Sequence, residues 1–224
     1  MLELREVTKI YEIGNTQVHS LNGVSLKVEK GASLAVMGPS GSGKSTLLYT
    51  IGGLLTPTKG DVTIGGISIY QLKHRERAKF RCENMGFIFQ TFELLPYLTA
   101  LENVMLPLHL AGIPSAEQVE MAEQALGKVG LGKRANHKPA ELSGGEQQRV
   151  AIARGIVNNP SILLADEPTG NLDQKTGTEI MKLLCDVHEK DGLTLIFVTH
   201  DPAKSKLADH VVEMIDGHTV TNRT

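Results

Sequence analysis

A chain of 224 residues is long enough for one large domain with a real core, or two small ones. Its net charge of -2 gives no support for a nucleic-acid partner, since no strong basic excess exists. Cys82 and Cys185 lack metal-ligand spacing and read as reduced thiols, residues 1–11 lack the apolar stretch of a signal peptide, and no run approaches the ~18 apolar residues of a membrane span, so a soluble, cytoplasmic protein is expected.

Residues 2–7 alternate apolar and polar, as a half-buried strand does, and 24–28 alternate again before Gly31. The continuous apolar run 33–37 is that of a strand buried on both faces. After a glycine-rich segment, 46–55 continue as helix, ended by the turn-rich Thr56-Pro57-Thr58-Lys59-Gly60. Residues 61–69 form a strand or hairpin bent at Gly65-Gly66, and 85–89 are another apolar strand. From 93 to 132 the spacing turns helical, with Pro96, Pro107 and Pro114 as breakers and Val119, Ala122, Ala125, Leu126 and Val129 on one face. Helices are expected at 146–157 and 176–189, the second with Ile180, Leu183, Leu184 and Val187 inward, and buried strands at 161–165 and 193–198. Two short apolar segments close the chain around Val211-Val212 and Met214-Ile215. Apolar strands separated by helices imply a parallel α/β sheet, with an antiparallel sheet from the N-terminal strands and a helical insert between Gln90 and Ser143.

Gly38-Pro39-Ser40-Gly41-Ser42-Gly43-Lys44-Ser45 fits G-x-x-x-x-G-K-[ST] and lies between a strand and a helix, the context this phosphate loop requires. The glycines let backbone N–H groups turn around an anion, and the helix aims its positive end at the same place. Lys44 can reach β- and γ-phosphates, the Ser45 hydroxyl can ligate Mg²⁺, and Thr46 can contact the α-phosphate. The apolar strand Ile162-Leu163-Leu164-Ala165 ends in Asp166, placed to hold Mg²⁺ through water, and Glu167, a general base for the attacking water. Leu142-Ser143-Gly144-Gly145-Glu146 is a capping box that also makes a helix-end anion site. Together these segments imply a protein that binds and hydrolyses ATP.

Over essentially its whole length the chain resembles the ATP-binding cassette of ABC transporters. The residues that carry this are the phosphate loop, Gln90, the 142–146 signature, the acidic strand and His200. The stretches Phe92-Glu93-Leu94-Leu95-Pro96-Tyr97-Leu98-Thr99-Ala100-Leu101-Glu102-Asn103-Val104 and Ala165-Asp166-Glu167-Pro168-Thr169-Gly170-Asn171-Leu172-Asp173 are similar to the branch serving lipoprotein-releasing transporters, macrolide and antimicrobial-peptide exporters and the cell-division permease pair.

The resemblance implies a P-loop NTPase fold: a RecA-like parallel-sheet core, an N-terminal antiparallel β-subdomain and an inserted α-helical subdomain near 91–155, all within one domain spanning 1–224. It implies that Tyr11 stacks on adenine, Gln90 completes the Mg²⁺ shell and senses the membrane subunit, and Asp173 lies at a dimer seam. Ser143, Gly144 and Gly145 would contact the γ-phosphate bound by a second copy, while His200 contacts the γ-phosphate and orients water. The implied cofactors are ATP and Mg²⁺. The implied partners are a second copy of the chain and an integral membrane permease, met at the cytoplasmic face of the inner membrane, with lipoprotein, peptide or drug as cargo and no nucleic acid. Because the chain stops at Thr224, a split-subunit system is expected rather than a fused exporter.

An ATPase acting on DNA or ribosomes is the alternative, but it would normally carry two cassettes or a coiled-coil insertion. A small-molecule kinase would leave the signature and His200 without a task. Two positions depart from the family pattern: Ala32-Ser33 before the first buried strand, and Gly155, which in a helix should cost up to ~1 kcal/mol relative to Ala.

Overall fold

Alternation at the N-terminus extends into a longer ribbon than its apolar pattern alone marks. Strand β1 (Leu2–Ile13) pairs antiparallel with β2 (Thr16–Val28), from Leu2 opposite Val28 to Ile13 opposite Thr16. The computed structural model describes residues 1–14 and 16–220, and the chain forms two units: Met1–Arg81 with the segment from Thr194 onward, and Cys82–Leu193.

In the first unit, β3 (Ser33–Met37) leads through the glycine-rich loop into helix α1 (Lys44–Ile51). The helix stops four residues short of the expected 55, because Gly52 and Gly53 turn the chain back onto the carbonyls of Leu48 and Thr50. Strand β4 (Lys59–Ile64) lies on the other side of β1, and β5 (Ile67–Ser68) closes the hairpin at Gly65-Gly66, giving the antiparallel order β2-β1-β4-β5. Leu2, Leu4, Leu21, Val24, Val62 and Ile64 fill its buried face. Helix α2 (His74–Asn84) has no counterpart in the hydrophobic pattern. Its sequence HRERAKFRCEN carries no apolar stripe, so periodicity is silent there. Tertiary contacts hold it instead: the buried Arg77 guanidinium lies 5.0 Å from the Tyr70 ring centroid, and Arg81 donates to Gly53 O.

The second unit begins with β6 (Met85–Ile88), followed by α3 (Ala100–Leu110), α4 (Ser115–Lys128), α5 (Gly144–Ile156), β7 (Ile162–Asp166) and α6 (Gln174–Asp191). Strands β6 and β7 run parallel, Met85 opposite Ile162 and Ile88 opposite Ala165. Helices α3, α4 and α5 pack on one another as the expected helical insert. Pro107 lies inside α3 instead of breaking it. Its missing N–H costs a helical bond, but a full Thr99–Glu102 capping box and the burial of Ala100, Asn103, Val104 and Leu108 hold the helix. On α4 the inward position is Gln118, whose amide donates to Ile113 O at 2.6 Å, while Val119 is exposed. Gly155 is explained by packing: its carbonyl oxygen would lie 1.9 Å from a Cβ on Gly86, so α5 rests backbone to backbone on β6.

The chain returns to the first unit with β8 (Thr194–Val198), the short helix α7 (Pro202–Ser205), β9 (His210–Ile215) and β10 (His218–Val220). Strand β3 is parallel to β8 on one side and to β9 on the other. The two closing apolar segments are therefore a single strand, with Val212 and Met214 inward. Ser33, the departure noted above, is bonded through both its N–H and its hydroxyl to the Asp209 carboxylate, each at 2.8 Å, which anchors the start of β3. Among the described residues, no helix is long and apolar enough to cross a membrane.

Candidate nucleotide-binding site

The phosphate loop is a product of close packing in the first unit. Strand β3 is buried from Ser33 to Val36, and the chain leaves it through Gly38, at φ 148°, to enter α1 from Gly43, at φ 100°. A Cβ on Gly38 would lie 2.2 Å from Met214 O, and one on Gly43 would lie 2.2 Å from Ser20 O. Both positions demand glycine for space as well as for backbone angle. Helix α1 therefore starts on a residue without a capping side chain, and its first turn holds no acidic residue. The positive end of its dipole therefore faces the loop with no acidic side chain in the first turn to offset it.

Lys44 is 6% exposed, and its Nζ donates to Pro39 O at 2.7 Å, so the ammonium lies across the mouth of its own loop. The Thr46 hydroxyl accepts from Ser20 Oγ at 2.8 Å, which fixes its rotamer. Ser45 follows Lys44 in the first turn of α1 and is half-buried. Ser40 and Gly41 are exposed, whereas Ser42 is buried. Tyr11, near the end of β1, is half-buried, with Lys9 Nζ 5.2 Å from its ring centroid. His200 follows β8, is exposed, and lines one cleft with Met37, Gly38 and Pro39. Next to it, Asp201 caps α7 through Ala203 N, and that backbone hydrogen bond holds its carboxyl below the usual range. Thus the first unit gathers the loop, Thr46 and His200.

The second unit gathers the rest. Asp166 ends the fully buried β7 and is itself 7% exposed. Glu167 is half-buried with a left-handed backbone, φ 42°, and its carbonyl accepts from Gly170 N at 2.9 Å, closing a tight turn over Pro168 and Thr169. Gln90, two residues past β6, lies on that turn: a Cβ on Gly170 would be 2.7 Å from its Nε2, and Asn171 Nδ2 donates to its backbone carbonyl at 3.0 Å. Within this unit the Gln90 amide oxygen and the Asp166 carboxylate are oxygen donors of the hard kind.

The capping box expected of Ser143 and Glu146 is present, with Ser143 Oγ accepting from Glu146 N and the Glu146 carboxylate accepting from Ser143 N at 2.9 Å. Hydrogen bonds from the backbone N–H and hydroxyl of Ser143, with Arg134 beside them, hold the Glu146 carboxyl below its ordinary value. Asp173 caps α6 by accepting from Lys175 N and Thr176 N, and its carboxyl is lowered by the hydroxyl and N–H of Thr176. The two helix starts touch: a Cβ on Gly145 would be 2.6 Å from Thr176 Cγ2, and one on Gly144 would be 3.4 Å from Leu172 Cδ2.

Three residues of this unit were not singled out by motif. Asn171 holds Gln90, as described. Arg154 of α5 donates to Glu93 O and, at 2.7 Å, to Phe92 O, clamping two consecutive residues that are both left-handed, at φ 60° and 50°. Gln148 is buried and bonded to Pro168 O. Its signal was readable, because it is a polar residue in register with the buried Ala151, Ile152, Gly155 and Ile156 of α5.

The described family model for ABC transporters matches residues 21–170. The lipoprotein-releasing system ATP-binding protein LolD of Geobacter metallireducens is 48% identical over 222 residues, covering 99% of this chain and 99% of that one. The macrolide export ATP-binding/permease protein MacB of Syntrophobacter fumaroxidans is 45% identical over 219 residues, 97% of this chain but 31% of that longer protein. Among solved structures, the dimeric post-hydrolysis state of the ATP-binding cassette MJ0796 bound to ADP and Pi aligns over 100% of both chains, with a TM-score of 0.90 and 44% identity. With its phosphate loop, signature and acidic strand all inside the matched segment, the chain belongs to the ABC transporter family, as one of its ATP-binding and ATP-hydrolysing cassettes.

Proposed function

We propose that this chain powers a separate integral membrane permease from the cytoplasmic face of the inner membrane, two copies closing on two molecules of Mg·ATP. Each nucleotide is held between the phosphate loop of one copy and Ser143, Gly144 and Gly145 of the other. The observation that carries this reading is the pairing of helix starts in the second unit: α5 and α6 begin in contact at Gly145 and Thr176, presenting Ser143 and Asp173 from one surface. Such a surface suits an anion brought by another chain. The likeness to a dimeric cassette carrying ADP and Pi adds support.

In this mechanism Tyr11 stacks on the adenine, the 38–43 loop wraps the phosphates and Thr46 meets the α-phosphate. Lys44 reaches the β- and γ-phosphates. Ser45, Gln90 and Asp166 would hold Mg²⁺, which when bound offsets charge on the β- and γ-oxygens. Glu167 accepts a proton from the attacking water, while His200 contacts the γ-phosphate and fixes the water's direction. Loss of the γ-phosphate removes charge that both copies bind, Asp173 at the seam relays the change, and the copies part. The whole chain acts as one cassette, and its helical part, near 91–155, transmits opening and closure through the segment around Gln90 to the permease. The names of the relatives favour release of lipoproteins or export of drugs, with peptides as a further class of cargo.

Glu167→Gln tests the sandwich. The variant is expected to bind ATP, to lose turnover about 10²–10⁴-fold, and to elute from gel filtration as a dimer only with Mg·ATP. A variant saturated with Mg·ATP that still elutes as a monomer would count against it.

A further inference from the structure

Gln148 is 0% exposed, and its Nε2 donates to Pro168 O at 2.6 Å. Its Oε1 is also buried and, among the described residues, has no hydrogen-bond partner. An amide with one unmatched end is a poor choice for packing, because desolvating the oxygen is uncompensated and an apolar side chain of equal size would fill the space. What the amide accomplishes lies at its other end. Pro168 follows Glu167, and Glu167 occupies the left-handed region at φ 42°. A non-glycine residue there is strained and persists only where its surroundings hold it, and a following proline biases it toward extended backbone instead. Bonds that oppose that relaxation include Gly170 N to Glu167 O at 2.9 Å and Gln148 Nε2 to Pro168 O. The first is made within the turn. The second reaches in from α5, the helix whose start carries Ser143 and Gly145.

We propose that Gln148 is a positioning residue for ATP hydrolysis. Its amide holds the carbonyl of Pro168 so that the turn keeps the Glu167 carboxylate aimed at the attacking water, and it makes the base ride on the signature helix. A helix displaced by engaging a nucleotide at Ser143 then carries the base with it. The proposal rests on Glu167 being the general base.

The test is a two-by-two set: the parent chain, Gln148→Met, Glu167→Gln and the double variant. Expected is an at least tenfold fall in kcat for Gln148→Met, with KM for ATP and calorimetric ATP affinity within twofold of the parent. In the Glu167→Gln background, where no base remains to be aimed, adding Gln148→Met should change the residual single-turnover rate less than twofold. A kcat within twofold of the parent overturns the proposal. So does the same tenfold loss recurring without the base, because Gln148 would then act on the fold or the nucleotide. Gln148→Leu serves as a second variant. If neither binds nucleotide, Gln148 belongs to the fold and the proposal fails. Full turnover by Glu167→Gln alone would instead remove the base assignment, an outcome separate from either.

Discussion

Lys44 Nζ is bonded to Pro39 O, five residues back along its own phosphate loop, at 2.7 Å. The bond folds the side chain back over the loop that the Gly38 and Gly43 backbones shape. In the proposed site this ammonium would meet charged phosphate oxygens, and charge-assisted bonds are about twice as strong as neutral ones. Lys44→Ala is therefore expected to weaken ATP about 10- to 100-fold, or about 1.4–2.8 kcal/mol. Isothermal calorimetry with ATP checks this, and an unchanged affinity would remove Lys44 from the site.

Glu146 offers a pH-dependent measure of the signature helix. Its folded carboxyl titrates below the ordinary glutamate value, chiefly because the Ser143 N–H and hydroxyl favour the charged form. A depressed acid contributes stability that is complete above the unfolded pKa, about 4.3, and is lost as pH falls through the folded value. Glu146→Gln keeps an acceptor for the Ser143 N–H but removes the charge. It should be less stable than the parent at pH 7 by about 0.5–1 kcal/mol, a capping-scale effect. The gap should close as the pH drops below about 4. Urea unfolding at a series of pH values reads this out, and a gap that persists undiminished at pH 3 would contradict the charge origin of the cap.

The sequence made the phosphate loop legible because strand, glycines, lysine and helix are contiguous there, and β3 and α1 lie where that pattern put them. The Ser143 capping box was readable for the same reason, being local over four residues. What escaped was non-local or unperiodic. Helix α2 shows no apolar stripe, and Pro107 is tolerated only because the packed α3 outweighs one lost backbone bond. Arg154 reads as an ordinary helical cation until the left-handed carbonyls of Phe92 and Glu93, about 60 positions away, are seen to need it. Gly155 read as a local cost to its helix. Its reason lies on another element, at Gly86.

That contact yields the sharpest stability prediction. A methyl group on Gly86 would lie 1.9 Å from Gly155 O, 2.8 Å from Gly155 C and 2.8 Å from Leu163 Cδ1. Two of these neighbours are backbone atoms of α5, so no rotamer change relieves them, and either the helix or β6 must move. Overpacking of a rigid core costs about 1–3 kcal/mol and sometimes more, and the backbone partners place Gly86→Ala at the upper end, about 3 kcal/mol. Gly155→Ala meets Leu163 Cδ1 and Phe87 O at 3.3 Å, a milder crowding that should offset much of the ~1 kcal/mol gained in helix propensity. Because β6 leads directly to Gln90 and α5 begins at the signature, Gly86→Ala should also lower ATPase activity per folded molecule, whereas Gly155→Ala should leave it near the parent level. Denaturant midpoints combined with turnover normalised to bound nucleotide decide the matter: a Gly86→Ala protein as stable as the parent would mean that α5 and β6 do not meet backbone to backbone.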